Sequence, residues 1–355
     1  MGHILVIVCA LGLLAGNAAA QEPWLERTTL AEDSLAGPVR SVEVRMTRTT
    51  DGRSAGPPRR YEEVTRVEYD RAGRRTELVR TDSGVVTSRI VYTHDEAGRN
   101  TGHVRFAGTA ERQRLIYTYD ARGGVVGKQT IGEIEVKERY VRDEAGRLLE
   151  SVREGGPRMA YRYDERGRRV EEVYRMADGT VLGTARWEHG PAGPVRETRI
   201  DGGGRVRWVF EMRYDAEGRL VERTIRETNS IRGLAHSHAP VPGREVFTYR
   251  DGGRTVETVS FAPDGAPRGG KVERFDARGR LVERAELGPD GAPVPTETLW
   301  LDDAGRVART VRGTERWSYD DDRHGNWTRR RRLIVPEGGG EPVEAHVETR
   351  EIAYW

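Results

Sequence analysis

A degenerate phrase of tyrosine, aspartate, two variable residues, glycine and arginine recurs about every 25 residues along most of this chain, and it limits the fold more than any other feature. The clear copies are Tyr69-Asp70 with Gly73-Arg74, Tyr119-Asp120 with Gly123, Tyr163-Asp164 with Gly167-Arg168, and Tyr214-Asp215 with Gly218-Arg219. Looser copies keep the glycine: Asp95 with Gly98-Arg99, Asp143 with Gly146-Arg147, Tyr249 with Gly253-Arg254, Phe275-Asp276 with Gly279-Arg280, Asp302 with Gly305-Arg306, and Asp322 with Gly325-Asn326. Gly193 falls midway across the one long gap, between Gly167 and Gly218. A fixed period of this size marks a repeat architecture, in which each unit buries a face against its neighbours.

The phrase reads as the turn of a β-hairpin. The aspartate accepts hydrogen bonds from backbone two residues on, and the glycine takes a positive φ without steric cost, as in a type I turn followed by a left-handed residue. Before each turn, apolar or aromatic residues stand one and three positions ahead of the aspartate: Tyr117 and Tyr119, Tyr161 and Tyr163, Met212 and Tyr214, Phe247 and Tyr249, Leu299 and Leu301. A spacing of two puts each pair on one face of a strand, where stacked hairpins bring them into cross-strand contact. The outgoing strands leave their inward face open, because Leu220-Val221 and Leu281-Val282 place apolar residues on both sides. The tyrosine stripe reads as sheet packing; a ligand-stacking platform is the alternative.

Charge is abundant but balanced, with 59 basic against 57 acidic residues, and lysine occurs only at Lys128, Lys137 and Lys271. The signs interleave, which suits cross-strand ion pairs on a solvated face and argues against nucleic acid, which wants a one-signed basic surface. The run Arg329-Arg330-Arg331-Arg332 is the exception. On a strand its side chains alternate between faces, so it reads as solvated, with an anionic partner or a membrane surface as the alternative.

Residues 1–20 read as a secretory signal, with an apolar run from Ile4 to Ala15 and a small-residue site at Ala18-Ala19-Ala20. That run is too short for a spanning helix, so no stable membrane span is expected after cleavage, and localisation is periplasmic or secreted. Cys9 is the only cysteine, so a processed chain has no disulfide, thiol nucleophile or cysteine-ligated zinc. Residues 21–38 form an N-terminal cap segment. Residues 39–355 form the hairpin domain, interrupted by a loop excursion at 229–244 that carries Gly233, Pro240, Pro242 and Gly243. Asp51-Gly52 marks a further hairpin turn, and Pro336 to Pro342 a turn before a last strand from Val343 to Trp355. The end strands of such an array have unpaired edges, which the terminal segments should cover.

The phrase resembles the YD repeat of the Rhs family, seen also in teneurins and in the shell-forming parts of bacterial toxin complexes. The resemblance runs from about Val39 to Trp355, and YDAEGRLVE from Tyr214 is a representative copy. It implies antiparallel hairpins wound into a large sheet or hollow shell that encapsulates a toxin or contributes to recognition outside the cell. No self-cleavage segment or effector domain follows the repeats, so the resemblance implies a short, repeat-only secreted member of bacterial origin.

Chemistry is sparse. His236 and His238 are the one pair with metal-ligand spacing, since alternate residues on a strand project the same way, and Glu245 or Asp251 is a conceivable third ligand. Asp320-Asp321-Asp322 lacks the alternate spacing of a calcium loop and reads as an aspartate-rich turn. No nucleophile elbow, phosphate loop or dinucleotide fingerprint occurs, and no cofactor is expected. The sequence predicts an all-β, elongated or curled antiparallel sheet of hairpin repeats, a partial shell. Its expected role is non-enzymatic: an exported binding or scaffolding protein whose partner is a cell-surface glycan or a protein outside the cytoplasm. The alternatives are an accessory or shell fragment of a secreted toxin, and a metal-dependent hydrolase using His236 and His238.

Overall fold

A computed structural model describes residues 28–49, 60–228, 240–302, 305–310, 315–334, 341 and 343–355. Residues 1–27, which include the segment read as a secretory signal, and the histidines His236 and His238 lie outside the described residues, as do positions 50–59 and most of the 229–244 excursion. The described chain is a single antiparallel sheet of 24 strands, numbered here in chain order, with one 3-10 turn at Asp251–Gly253 as its only helical element. The curled hairpin array expected from the phrase is the observed fold.

Each strand pairs with its predecessor and its successor, and the ladder then joins its own ends. The first strand, β1 (Val39–Thr49), pairs with β2 (Arg60–Tyr69) on one side and with the last strand, β24 (Val343–Tyr354), on the other. The closing register sets Val42 against Ile352, Val44 against Arg350 and Thr47 against Val347. The open edges expected of a hairpin array are therefore absent at the ends of this sheet. The terminal strands pair with each other, which removes the edge liability more completely than a covering segment could.

Strand alternation sends the connections to two rims. Connections leaving most even-numbered strands carry the Asp-x-x-Gly-Arg phrase, so most of its copies gather on one rim; a further copy, Asp201 with Gly204-Arg205, follows the odd-numbered β13 (Pro194–Asp201) on the opposite rim. The opposite rim also uses a second turn chemistry, which the sequence reading marked only at Asp51-Gly52, with aspartate directly before the left-handed glycine: Asp178-Gly179, Asp264-Gly265 and Asp290-Gly291. In these turns the aspartate accepts the N–H two residues on, from Thr180, Ala266 and Ala292. The repeat is thus a pair of hairpin turns, one on each rim.

The large side chains share one face. The register carries Val42, Val67, Leu78 and Ile90 across successive strands on the same side, and that side holds the buried Tyr69, Tyr92, Tyr117, Tyr140, Phe210 and Met212. Smaller buried residues, Val209, Val272 and Ala285, face the other way. On β15 (Leu220–Glu227) the undecided outgoing pattern resolves: Ile225 and Arg223 lie opposite Phe210 and Met212 on the aromatic face. Arg223 is tolerated there because Glu245 on the next strand accepts its Nε at 2.7 Å.

Packing stays between neighbouring strands. The clusters Leu78–Ile90–Tyr92 and Tyr117–Val125–Tyr140 each lie within adjacent hairpins. With strands about 4.8 Å apart, a ring of this many has a circumference of at least roughly 115 Å. Even smaller rings than this leave a channel that side chains do not fill. The wall is one layer thick among the described residues, and its stability rests on the ladder and on contacts along the sheet.

Candidate functional site

The phrase is a latch between hairpins. In the turn at Asp164, the carboxylate Oδ1 accepts the backbone N–H groups of Arg166 at 3.0 Å and Arg168 at 2.8 Å, while Oδ2 accepts Nε of Arg168 at 2.7 Å. Gly167 stands at φ 77°, where a side chain would be strained, and its N–H donates to the Asp164 carbonyl at 2.9 Å. The same carboxylate-to-arginine clamp recurs from Asp70 to Arg74, Asp95 to Arg99, Asp143 to Arg147, Asp215 to Arg219, Asp276 to Arg280 and Asp302 to Arg306. In the Asp120 turn Gly124 stands at the arginine's position, so the backbone bonds remain without the arginine. The repeat glycines Gly73, Gly98, Gly123, Gly146, Gly218, Gly253, Gly279, Gly305 and Gly325 all have positive φ as well.

The clamped arginine then reaches the next hairpin. Arg99 lies over the Tyr119 ring at 4.6 Å, Arg147 over Tyr163 at 5.1 Å, Arg219 over Tyr249 at 4.7 Å and Arg306 over Tyr319 at 4.5 Å. The tyrosine hydroxyl closes the latch by donating to the carbonyl of the residue just after the arginine, as Tyr163 does to Leu148 at 2.8 Å and Tyr249 to Leu220 at 2.9 Å. A guanidinium on a ring contributes about 0.5–1 kcal/mol at partly exposed sites, and a hydroxyl bond to a carbonyl about 1 kcal/mol. The sequence reading assigned the aspartate and glycine to the turn and the tyrosine to packing. The arginine's part was missed, although its fixed place four residues after the aspartate, with a tyrosine one hairpin later, was the available signal.

Where the ring closes, the latch changes. Asn326 replaces the arginine; its Oδ1 accepts the N–H of Ala36 at 2.7 Å, and its Nδ2 donates to the Ala36 carbonyl at 2.7 Å and to the Tyr354 hydroxyl at 2.8 Å. Tyr354 in turn donates to Asp322. Residues 28–38 cross the joint. The Leu30 N–H donates to Gly73 at 2.9 Å, Asp33 accepts from Arg75 and from the Tyr69 hydroxyl, and Leu30 and Leu35 pack with Val39, Val42, Ile352 and Tyr354.

The remaining candidates separate. Glu245 is held by Arg223, and Asp251 accepts the Thr255 hydroxyl at 2.7 Å, so neither conceivable third metal ligand is idle. The three carboxylates of 320–322 diverge: Asp320 pairs with Arg331, Asp321 takes a two-pronged contact from Arg306 at 2.6 and 2.8 Å, and Asp322 serves its turn. The arginine run alternates as expected on β23 (Trp327–Ile334), with Arg330 bound to Glu348 at 2.6 Å on the aromatic face and Arg331 to Asp320 on the other. Glu348 also contacts His346 at 2.9 Å, and Arg330 lies 5.1 Å over Trp317 and 5.2 Å over Trp327.

A comparison with curated proteins returned no match. Among solved structures, the chain is similar to the TcdB2-TccC3-Cdc42 complex at 10% identity and a TM-score of 0.27, covering 87% of this chain and 24% of that one. TcdB2-TccC3 without its hypervariable C-terminal region gives 12% identity and a TM-score of 0.31, over 84% and 22%. A porin-like protein from Bacteroides uniformis gives 12% and 0.23, over 90% and 99%. The chain thus spans about a quarter of the first of these. The family model of the RHS repeat matches residues 142–181, a stretch that holds two successive latches, at Asp143–Arg147 and Asp164–Arg168. By this match and by the turn geometry that underlies it, the chain carries the RHS repeat.

Proposed function

We propose that the protein is a non-catalytic, exported scaffold whose repeat wall binds a protein or glycan outside the cytoplasm. The observation that carries this reading is the use of the phrase itself: aspartate, glycine, arginine and tyrosine are spent on joining hairpins, so the most recurrent polar residues are committed to the wall. Interleaved ion pairs across the strands, such as Arg274 with Glu283 and Arg284 with Glu297, account for much of the remaining charge. The test is crosslinking and pull-down with the tagged protein on intact cells. Recovery of one surface protein or glycan at stoichiometric yield supports the reading, and capture of nothing above a scrambled-repeat control contradicts it.

Closure of the ladder favours a second role, an accessory that stores or neutralises a secreted toxin, because a ring encloses space. Co-purification of one small protein, protected from protease until the wall is unfolded, would select it. Metal analysis addresses the hydrolase alternative: a stoichiometric metal lost in His236→Ala/His238→Ala would sink the non-catalytic reading.

A further inference from the structure

Arg350 is a cation left over from the pairing around it. It sits on β24 opposite Val44, partly buried on the aromatic face, with its guanidinium 3.6 Å from the Trp327 ring centre. The carboxylates nearby are engaged elsewhere: Glu348 by Arg330 and His346, Asp33 by Arg75 and Tyr69. Among the described residues no carboxylate forms an ion pair with Arg350, and its buried Nε has no hydrogen-bond partner. Burial first, and the like charge of Arg330 second, push its pKa down to about 10. A partly desolvated charge without a counter-ion is unfavourable, and folded proteins ordinarily pair such groups.

We propose that Arg350, with Arg330 beside it against Trp327 and Trp317, is a binding site for an oxyanion group, a carboxylate or a phosphate. Stacking one face of a guanidinium on an indole fixes its plane and leaves its edge free for two parallel N–H···O bonds, the geometry that these groups match. Arg330 already spends one edge on Glu348, so it contributes field, and Arg350 makes the contact. Both an acidic sugar and a free phosphate present this chemistry. The inference takes from the scaffold reading only the idea that the wall binds a ligand.

The test is thermal unfolding of the purified protein in sodium galacturonate, sodium phosphate and sodium chloride at matched ionic strength. A saturable rise in midpoint of a few degrees is expected with galacturonate, phosphate or both, beyond that in chloride. Galacturonate alone identifies an acidic glycan, phosphate alone a phosphate group, and either supports the site. Arg350→Met, which keeps the stack and removes the charge, should abolish the rise, and Arg350→Lys, which keeps the charge without the fork, should weaken apparent affinity at least tenfold. No saturable rise with either anion, or an unchanged rise in both variants, overturns the proposal. Because this reads ligand stabilisation in isolated protein, it can fail independently of the cell capture that tests the scaffold reading.

Discussion

Asn326→Ala is an informative perturbation of the ring, because this one buried side chain carries three hydrogen bonds at the joint beside the β1–β24 ladder. Asn326 is 3% exposed and makes three hydrogen bonds: two to the backbone of Ala36 and one to the Tyr354 hydroxyl. Truncation removes all three and leaves the Ala36 groups without those partners. At about 1 kcal/mol net for each bond, the loss is about 3 kcal/mol, more if water does not replace them. The effect should be local, since the joint is one contact region in a long ladder. Hydrogen exchange is therefore the right assay: the Trp355 N–H, which donates to the Pro38 carbonyl at 2.9 Å, lies beside the tether. A cost of about 3 kcal/mol corresponds to roughly 100-fold faster exchange, while amides around Asp164 stay unchanged. Asn326→Asp keeps the acceptor for Ala36 but turns the donor into a charged acceptor beside Asp322, and should be at least as damaging. An acceleration below threefold in the alanine variant, or an equal one at both places, would refute the reasoning.

Other consequences of the latch are direct. Tyr163→Phe keeps the ring under Arg147 and loses only the hydroxyl bond to Leu148, so it should cost about 1 kcal/mol in denaturant unfolding. Tyr163→Ala should cost several times that. Gly167→Ala forces a side chain into a left-handed residue with the Arg147 guanidinium 3.2 Å from the new carbon, and should lose about 1–2 kcal/mol by the same measurement. Acid should loosen the phrase rim. Burial pushes the Asp70 carboxyl up, but bonds from the Arg74 side chain and backbone outweigh it and hold the pKa below 3.8. Asp322 behaves alike, burial being outweighed by the Tyr354 hydroxyl and the His324 and Asn326 N–H groups. Depressed folded pKa values mean that this stabilisation is complete above the unfolded value and is lost as pH falls through the folded ones. Unfolding midpoints should thus hold from pH 7 to pH 5 and fall below about pH 4, and in Asp70→Asn the fall should be shallower.

The sheet was legible because the phrase joins two independent signals, a turn chemistry and a period-two apolar pattern, and both point to hairpins. Closure was not legible, because it depends on the accumulated curvature of the wall rather than on any one repeat. One trace of it stood in the sequence: the phrase reads Gly325-Asn326 where most copies read glycine-arginine, and unlike the glycine at Gly124 this asparagine brings a side chain that bonds across the joint. The second turn class was visible as Asp-Gly at Asp264 and Asp290 but was overshadowed by the stronger phrase. The ligand-facing residues were harder. Arg350 has no motif, and its isolation arises only when Glu348 and Asp33, distant in sequence, are seen to be taken by other partners. The excursion at 229–244 falls largely outside the described residues, along with His236 and His238.

Pairing of the first and last strands is the claim on which the rest depends, and one engineered disulfide tests it. Glu43 and Glu351 are register partners across β1 and β24. Directly opposed residues in an antiparallel pair have Cα atoms about 4.5–5.5 Å apart, within disulfide range. In a chain started at Gln21, which leaves out the only cysteine, Cys9, Glu43→Cys/Glu351→Cys should oxidise to an intramolecular disulfide in the folded monomer, detected by mass spectrometry and lost on prior unfolding. Free thiols after oxidation, or disulfides found only between molecules, would show that the sheet is open and contradict the account.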